Sequence, residues 1–177
     1  MAFQLDTILR ELHRVPAREA IALALPVSDD REYWAAMYDH IRQLLFLHMR
    51  PDARKDIQEH FESFLSDDGN IAYNPVLRHG DFGPDQLILD KKAWTIKGVI
   101  DFGSACLGDL AVDVVWLHFQ SRTAPTFLST FYKAYPEMEA VFARARFYAG
   151  TFALQEALFG AEYDDSSAFS GGISQYV

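Results

Sequence analysis

The sequence predicts an α+β fold that is mostly α-helical and contains one small β-hairpin. Three observations support this prediction. Apolar residues recur at helical spacing in the first third of the chain, two short strand-like runs follow in the middle, and helical spacing returns towards the end. The chain has 177 residues, of which 50% are hydrophobic, which is sufficient for a single domain, 1–177, with a buried core.

The first third contains three predicted helices. The apolar residues of the first helix are Leu5, Ile8, Leu9 and Leu12. This helix ends at Pro16, and a second begins after Asp30 and continues to about residue 49. A third helix has Pro51 at its first position, where proline is tolerated, and it ends at the Asp-Asp-Gly-Asn segment 67–70.

The middle of the chain changes character. Residues 75–78 form a short extended segment, and residues 86–89 and 95–100 are predicted strands joined by a turn at 90–93. Further helices are predicted at about 109–121, 125–134 and 137–160. Residues 166–177, which include several Ser and Gly, are predicted to be a tail.

Charge and hydropathy exclude several classes of function. The net charge of −9 and the pI near 5.0 disfavour nucleic acid as a partner, because such a chain repels phosphate backbones, and they favour cationic ligands. No apolar run approaches the roughly 20 residues that span a bilayer, so no membrane partner is expected. A single cysteine and the lack of a signal-peptide pattern favour a cytoplasmic location.

The chemistry is predicted to lie around the hairpin. Asp81 and Gln86 are five residues apart on the loop that enters the first strand, and Asp101 follows the second strand. A hairpin would bring all three to one end of the same sheet. Carboxylate and amide oxygens suit Mg²⁺, and a further carboxylate can accept a proton from a hydroxyl nucleophile. This combination indicates phosphoryl transfer.

The motifs in this region resemble those of a known family. The chain reads His79-Gly80-Asp81, then Ile100-Asp101-Phe102-Gly103, then Gly108-Asp109-Leu110 and Asp113. Aminoglycoside phosphotransferases, which are related to protein kinases, carry similar motifs in the same order and at similar spacing. The resemblance is strong over residues 75–118, and it implies the C-terminal lobe of a protein-kinase-like small-molecule kinase.

The resemblance implies a role for each matching residue. Asp81 matches the catalytic Asp that orients or deprotonates the attacking hydroxyl, and Asp101 matches the Asp that binds Mg²⁺ beside the phosphates of ATP or GTP. Gln86 takes the position of a second metal ligand that is usually Asn, so its carbonyl oxygen lies one methylene further out. His79 and Asp113 are expected to support the catalytic loop.

The expected substrate is a small molecule with a hydroxyl group, and an aminoglycoside or a similar metabolite is favoured. The late acids Glu156 and Glu162 are candidates for binding a cationic substrate, with a solvated surface as the alternative. Within the single domain we expect a catalytic core at 75–118, a helical substrate-side part at 1–70 and 119–165, and the tail at 166–177.

A nucleotide-binding N-terminal lobe is expected to be absent from this sequence. Residues 1–70 contain one glycine, Gly69, and no strand with a Lys precedes the catalytic loop. The chain is therefore expected to be a fragment or a truncated product, and self-association through the exposed face is predicted. A catalytically inactive binding or regulatory module of the same fold is the alternative function.

Overall fold

A computed structural model describes residues 2–116 and 138–177. It divides into two compact units. Unit 1 comprises residues 1–28 and 74–146, and unit 2 comprises residues 29–73 and 147–177. The assignment of one domain stays a prediction. Within the described ranges, no helix is long and apolar enough to cross a membrane.

The helices of the first third lie close to their predicted positions. They are α1 (Ala2–His13), α2 (Ala17–Ala22), α3 (Arg31–Leu44) and α4 (Pro51–Ser66). Asp30 caps α3 by accepting a hydrogen bond from the Tyr33 amide at 2.7 Å, and Pro51 occupies the first turn of α4. The short helix α2 was not predicted, because six residues are too few to show a period.

Two small antiparallel sheets follow, both in unit 1. Strand β1 (Val76–Arg78) pairs with β4 (Cys106–Gly108), and β2 (Leu87–Asp90) pairs with β3 (Thr95–Val99). The predicted hairpin is therefore confirmed. The β1–β4 sheet was missed, since three-residue strands separated by almost 30 residues show no alternating pattern.

Each unit has its own apolar core. In unit 1 the buried residues include Leu5, Leu9, Leu107, Val114 and Phe142. In unit 2 they include Trp34, Ile41, Phe61, Tyr148 and Leu154. The predicted helix at 137–160 is confirmed as α5 (Met138–Glu162), which contributes residues to both units. A 3₁₀ turn at Leu110–Val114 begins the region predicted as helix 109–121. Residues 117–137, including the predicted helix 125–134, lie outside the described residues.

The predicted tail at 166–177 is wrong over most of its length. Residues Ser166–Ile173 form a helix, α6, and Asp165 caps it by accepting hydrogen bonds from the amides of Ser167 and Ala168, both at 3.0 Å. Glycines that suggested a tail instead allow close packing of two helices. A Cβ atom at Gly172 would overlap the backbone of Ala157 and Ala153 on α5.

Candidate functional site

The β2–β3 hairpin places two of the predicted site residues next to each other in unit 1. Leu87 pairs with Val99, and one step further the Ile100 amide donates to the carbonyl oxygen of Gln86 at 3.0 Å. Gln86 therefore begins one strand where Asp101 follows the other. The hairpin brings these residues to one end of the sheet, as the sequence predicts.

His79 links the loop of Asp81 to the loop of Asp101. The side chain is fully buried, and its Nε2 atom lies 2.9 Å from the carbonyl oxygen of Ile100. Its Nδ1 atom lies 3.3 Å from the backbone amide of Asp81. A carbonyl can only accept and an amide N–H can only donate, so in these two contacts Nε2 is the donor and Nδ1 is the acceptor. One buried ring thus holds both loops.

Asp113 holds the backbone of the same loop. Its Oδ2 atom accepts from the His79 amide at 2.8 Å, and its Oδ1 atom accepts from the Gly80 amide at 2.8 Å. His13, at the end of α1, places its Nε2 atom 3.0 Å from Oδ2. The carboxylate is fully buried, so these donors take the place of water.

Gly80 is the position where the loop requires glycine. Its φ is +91°, and a Cβ atom there would overlap the Ser104 carbonyl oxygen and the Arg78 guanidinium. Arg78 is 8% exposed and lies on β1 directly before the loop. It was not identified from the sequence, because a single Arg at a strand end usually faces solvent.

Asp81 and Asp101 are exposed, in contrast to the residues that support them. Asp81 Oδ2 accepts a hydrogen bond from Gln86 Nε2 at 3.2 Å. Asp101 adopts a left-handed backbone conformation with φ +65° and ψ +61°. Such a conformation costs a non-glycine residue about 1–3 kcal/mol and is frequent at functional sites.

A second buried carboxylate in unit 1 fixes the start of the 3₁₀ turn that carries Asp113. Both oxygens of Asp109 face the guanidinium of Arg144 on α5, and Oδ1 also accepts from the Ala111 amide at 3.0 Å. Both side chains are nearly inaccessible to water. The sequence analysis matched Gly108-Asp109 to a family motif but gave Asp109 no role. Its partner Arg144 lies 35 residues away, so no local sequence pattern indicates the pair.

The residues present fit Mg²⁺ bound through Asp101. Over the described ranges, no three His, Cys, Asp or Glu side chains come together as a metal-binding group. Mg²⁺ does not require one, because it keeps several waters and usually takes one or two carboxylates plus substrate phosphates. The Asp101 carboxylate is exposed, and it does not cap the 3₁₀ turn that follows it. A metal-ligand role for Gln86 stays a prediction.

The late acids lie in unit 2. Glu156 on α5 is exposed, and its carboxylate lies near Gly171 of α6. Glu162, at the end of α5, has its Oε1 atom 3.4 Å from Nδ1 of His40 on α3. These positions do not test whether either residue binds substrate.

Comparison with known proteins identifies the family. The model of the phosphotransferase enzyme family, abbreviated APH, matches residues 2–148. This chain belongs to the phosphotransferase enzyme family. The predicted resemblance is therefore confirmed. A search of curated proteins gives no significant match.

Solved structures of phosphotransferases share the fold. The GDP complex of aminoglycoside 2′-phosphotransferase-IIIa superposes with a TM-score of 0.87 at 21% identity, covering 98% of this chain and 58% of that one. Macrolide 2′-phosphotransferase type I superposes with a TM-score of 0.80 at 20% identity, covering 99% of this chain and 58% of that one. The streptomycin–ATP complex of APH(2″)-IIa superposes with a TM-score of 0.71 at 22% identity, covering 98% of this chain and 60% of that one. These matches confirm the predicted α+β fold class. This chain spans about three-fifths of each protein's length.

Proposed function

We propose that this chain carries the catalytic residues for transfer of the γ-phosphoryl group of ATP or GTP to a hydroxyl group of a small molecule. One observation carries the proposal. Two exposed carboxylates, Asp81 and Asp101, lie on loops that the buried His79 ring joins through two hydrogen bonds. Phosphoryl transfer depends mainly on positioning and on charge neutralisation, and this arrangement serves both requirements.

Asp81 is proposed as the group that orients the nucleophile. Its exposed carboxylate accepts a hydrogen bond from the substrate hydroxyl, and it takes the hydroxyl proton as the oxygen bonds to the γ-phosphorus. The bond between that phosphorus and the bridging oxygen of the nucleotide breaks, and the nucleoside diphosphate leaves. The contacts of Asp113 with the amides of His79 and Gly80 fix the loop backbone beside Asp81.

Asp101 is proposed as the carboxylate that holds Mg²⁺. The ion, when bound, neutralises charge on the phosphate oxygens. The His79 contact to the preceding carbonyl oxygen fixes the backbone next to Asp101, whose own conformation is left-handed. The donor, ATP or GTP, is part of the proposal, supported by solved relatives that are described as GDP and ATP complexes.

An aminoglycoside is the substrate that we propose first. Structures of family members that share this fold include a kanamycin complex and a streptomycin complex. The net charge of −9 and the exposed Glu156 are compatible with a cationic substrate. Macrolide phosphotransferases share the fold as well, so a macrolide is the comparison substrate in any screen. With such a substrate, the cytoplasmic location expected from the sequence would make antibiotic resistance the biological role.

A titration calorimetry experiment tests the proposal. The chain would be titrated with ATP and with GTP in excess Mg²⁺, and the titrations would be repeated with Asp101→Ala and with Asp85→Ala. Asp85 is an exposed carboxylate on the same loop, so it is a matched control. We expect binding that is lost in Asp101→Ala and kept in Asp85→Ala. Equal binding by all three proteins would refute the role of Asp101.

The same titration separates the enzyme from the alternative function. Nucleotide binding that does not depend on Asp101 would favour an inactive binding or regulatory module. Self-association also stays a prediction, and sedimentation at several protein concentrations tests it. A strict monomer at the highest concentration would contradict it.

A further inference from the structure

The side chain of Gln86 reaches back along its own loop to Asp81. Its Nε2 atom lies 3.2 Å from Asp81 Oδ2. An ionised carboxylate has only acceptors, so the amide must present its nitrogen and not its oxygen to Asp81. A hydrogen bond to an ionised acceptor is stronger than one between neutral groups, and this gives the amide a preferred orientation.

The backbone of Gln86 is held on both sides of this contact. Residues Pro84–Gln86 form a 3₁₀ turn in which the Gln86 amide donates to the Gly83 carbonyl oxygen at 3.2 Å. The Gln86 carbonyl oxygen accepts from the Ile100 amide at 3.0 Å. The side-chain carbonyl oxygen, Oε1, lies beside Gly83, where it is 3.2 Å from the position that a Cβ atom would take. The turn and the strand thus fix the origin of the side chain.

We propose that Gln86 is a positioning residue for Asp81. Its amide N–H binds Oδ2, which leaves Oδ1 of the same carboxylate for the hydroxyl of the substrate. The inference rests on the proposed function and differs from the role of second metal ligand predicted from the resemblance. It leaves Asp101 as the protein carboxylate for Mg²⁺, which is sufficient for an ion that keeps most of its waters.

The length of the side chain is the reason that glutamine serves here. The amide nitrogen crosses five residues of a turning loop to reach Oδ2 at 3.2 Å. Asparagine is one methylene shorter, so from the same backbone position its nitrogen falls short of a hydrogen bond to Asp81. Gln86→Asn should therefore lose the contact, although it restores the residue type typical of the family's metal ligand.

Two roles for Gln86 predict different outcomes for metal binding. A metal ligand contributes directly to affinity, so its loss should weaken Mn²⁺ binding by about tenfold or more. A positioning residue contributes through Asp81, so Gln86→Met should leave Mn²⁺ affinity within about twofold and reduce turnover. Methionine has a similar length and no N–H donor, and Gln43→Met, on an exposed face of α3, is the matched control.

The first measurement is the dissociation constant of Mn²⁺ by electron paramagnetic resonance. It would be made on the unsubstituted chain, Gln86→Met, Gln43→Met and Asp101→Ala. We expect loss of affinity in Asp101→Ala alone. A loss of about tenfold or more in Gln86→Met would overturn the inference. If Asp101→Ala also binds normally, the proposed function fails, and the second measurement decides the inference separately.

The second measurement is a spectroscopic signature of the hydrogen bond. The ¹H–¹⁵N signals of the Gln86 side-chain amide are assigned by their absence in Gln86→Met. We expect these signals to move in Asp81→Ala and to stay in place in Asp85→Ala, since only Asp81 accepts the bond. Signals that do not move in Asp81→Ala would overturn the inference. This readout requires neither metal nor catalytic activity.

Discussion

The two compact units differ in what fills their interiors. In unit 1, Arg78, His79, Asp109, Asp113 and Arg144 are all buried beside the apolar core. In unit 2 the centre is a set of packed aromatic rings, and among the residues the structure describes Asp29 is its one fully buried acidic or basic side chain. In this interior the rings of Phe64 and Phe147 are stacked on each other. Trp34 stacks on Tyr148 with 5.1 Å between ring centroids.

The difference reflects what each interior has to hold. Apolar packing is non-directional, so it stabilises helices without fixing the backbone of a loop. A buried carboxylate must be hydrogen-bonded, so it fixes the groups that satisfy it. In unit 1 those groups are the amides of His79 and Gly80, beside Asp81. The unit with the exposed carboxylates that we propose for the chemistry is thus the one that contains most of the buried charged residues.

The largest loss of folding stability is expected from breaking the buried ion pair of unit 1. Arg144→Met leaves the fully buried Asp109 carboxylate without its guanidinium, and loss of one partner from such a pair costs about 3–5 kcal/mol. Urea unfolding measures the free energy of unfolding. Hydrogen exchange of the backbone amides of residues 109–114 shows whether this turn loses protection. The double variant Asp109→Asn/Arg144→Met should recover part of the loss. A cost below about 1 kcal/mol, typical of a surface pair, would contradict this account.

An intermediate loss of folding stability is expected from a substitution where α6 packs on α5 in unit 2. A Cβ atom at Gly172 would overlap backbone atoms of Ala157 and Ala153, so Gly172→Ala should cost about 1–3 kcal/mol through overpacking. Gly171, the neighbouring residue, is exposed and faces only the flexible Glu156 side chain. Gly171→Ala should be neutral or stabilise by up to about 1 kcal/mol, since Ala favours a helix. Equal effects in thermal unfolding would show that α6 does not pack closely.

The smallest expected effect is a pH dependence of the folding stability of unit 2. Burial disfavours the charged imidazole of His60 and lowers its pKa, although the hydrogen bond with the Phe147 carbonyl oxygen raises it. The unfolded chain, with a His pKa of about 6.5, therefore binds the proton more readily, and the free energy of unfolding should fall as pH drops below about 6.5. Above that pH the contribution is constant. His60→Phe should flatten the slope between pH 7 and pH 5. An unchanged slope would contradict the prediction.

The hairpin and the long helices could be predicted from the sequence because their signals are local. Pro51, the 67–70 segment and the turn at 90–93 each mark a boundary within a few residues. The position of Asp81, Gln86 and Asp101 at one end of the sheet followed from the hairpin. Family motifs then supplied roles that spacing alone does not give.

The missed features depend on partners that are distant in sequence. The contact of His13 with Asp113 joins residues 100 apart, and the Asp109–Arg144 pair spans 35 residues. The helix α6 was missed for a different reason. Its Gly and Ser residues have low helix propensity, and the Asp165 cap and the close packing on α5 outweigh it.

The most direct test of the central claim is a phosphoryl-transfer assay with radiolabelled ATP and GTP. Aminoglycoside and macrolide acceptors would be tested with the unsubstituted chain, Asp81→Asn and Asp85→Asn. Since Asp81 is proposed to take the hydroxyl proton, we expect Asp81→Asn to reduce transfer by about 10²–10⁴-fold, the range typical of general base catalysis. Asp85→Asn should transfer at the unsubstituted rate. Equal transfer by Asp81→Asn and the unsubstituted chain would contradict the assignment of the site.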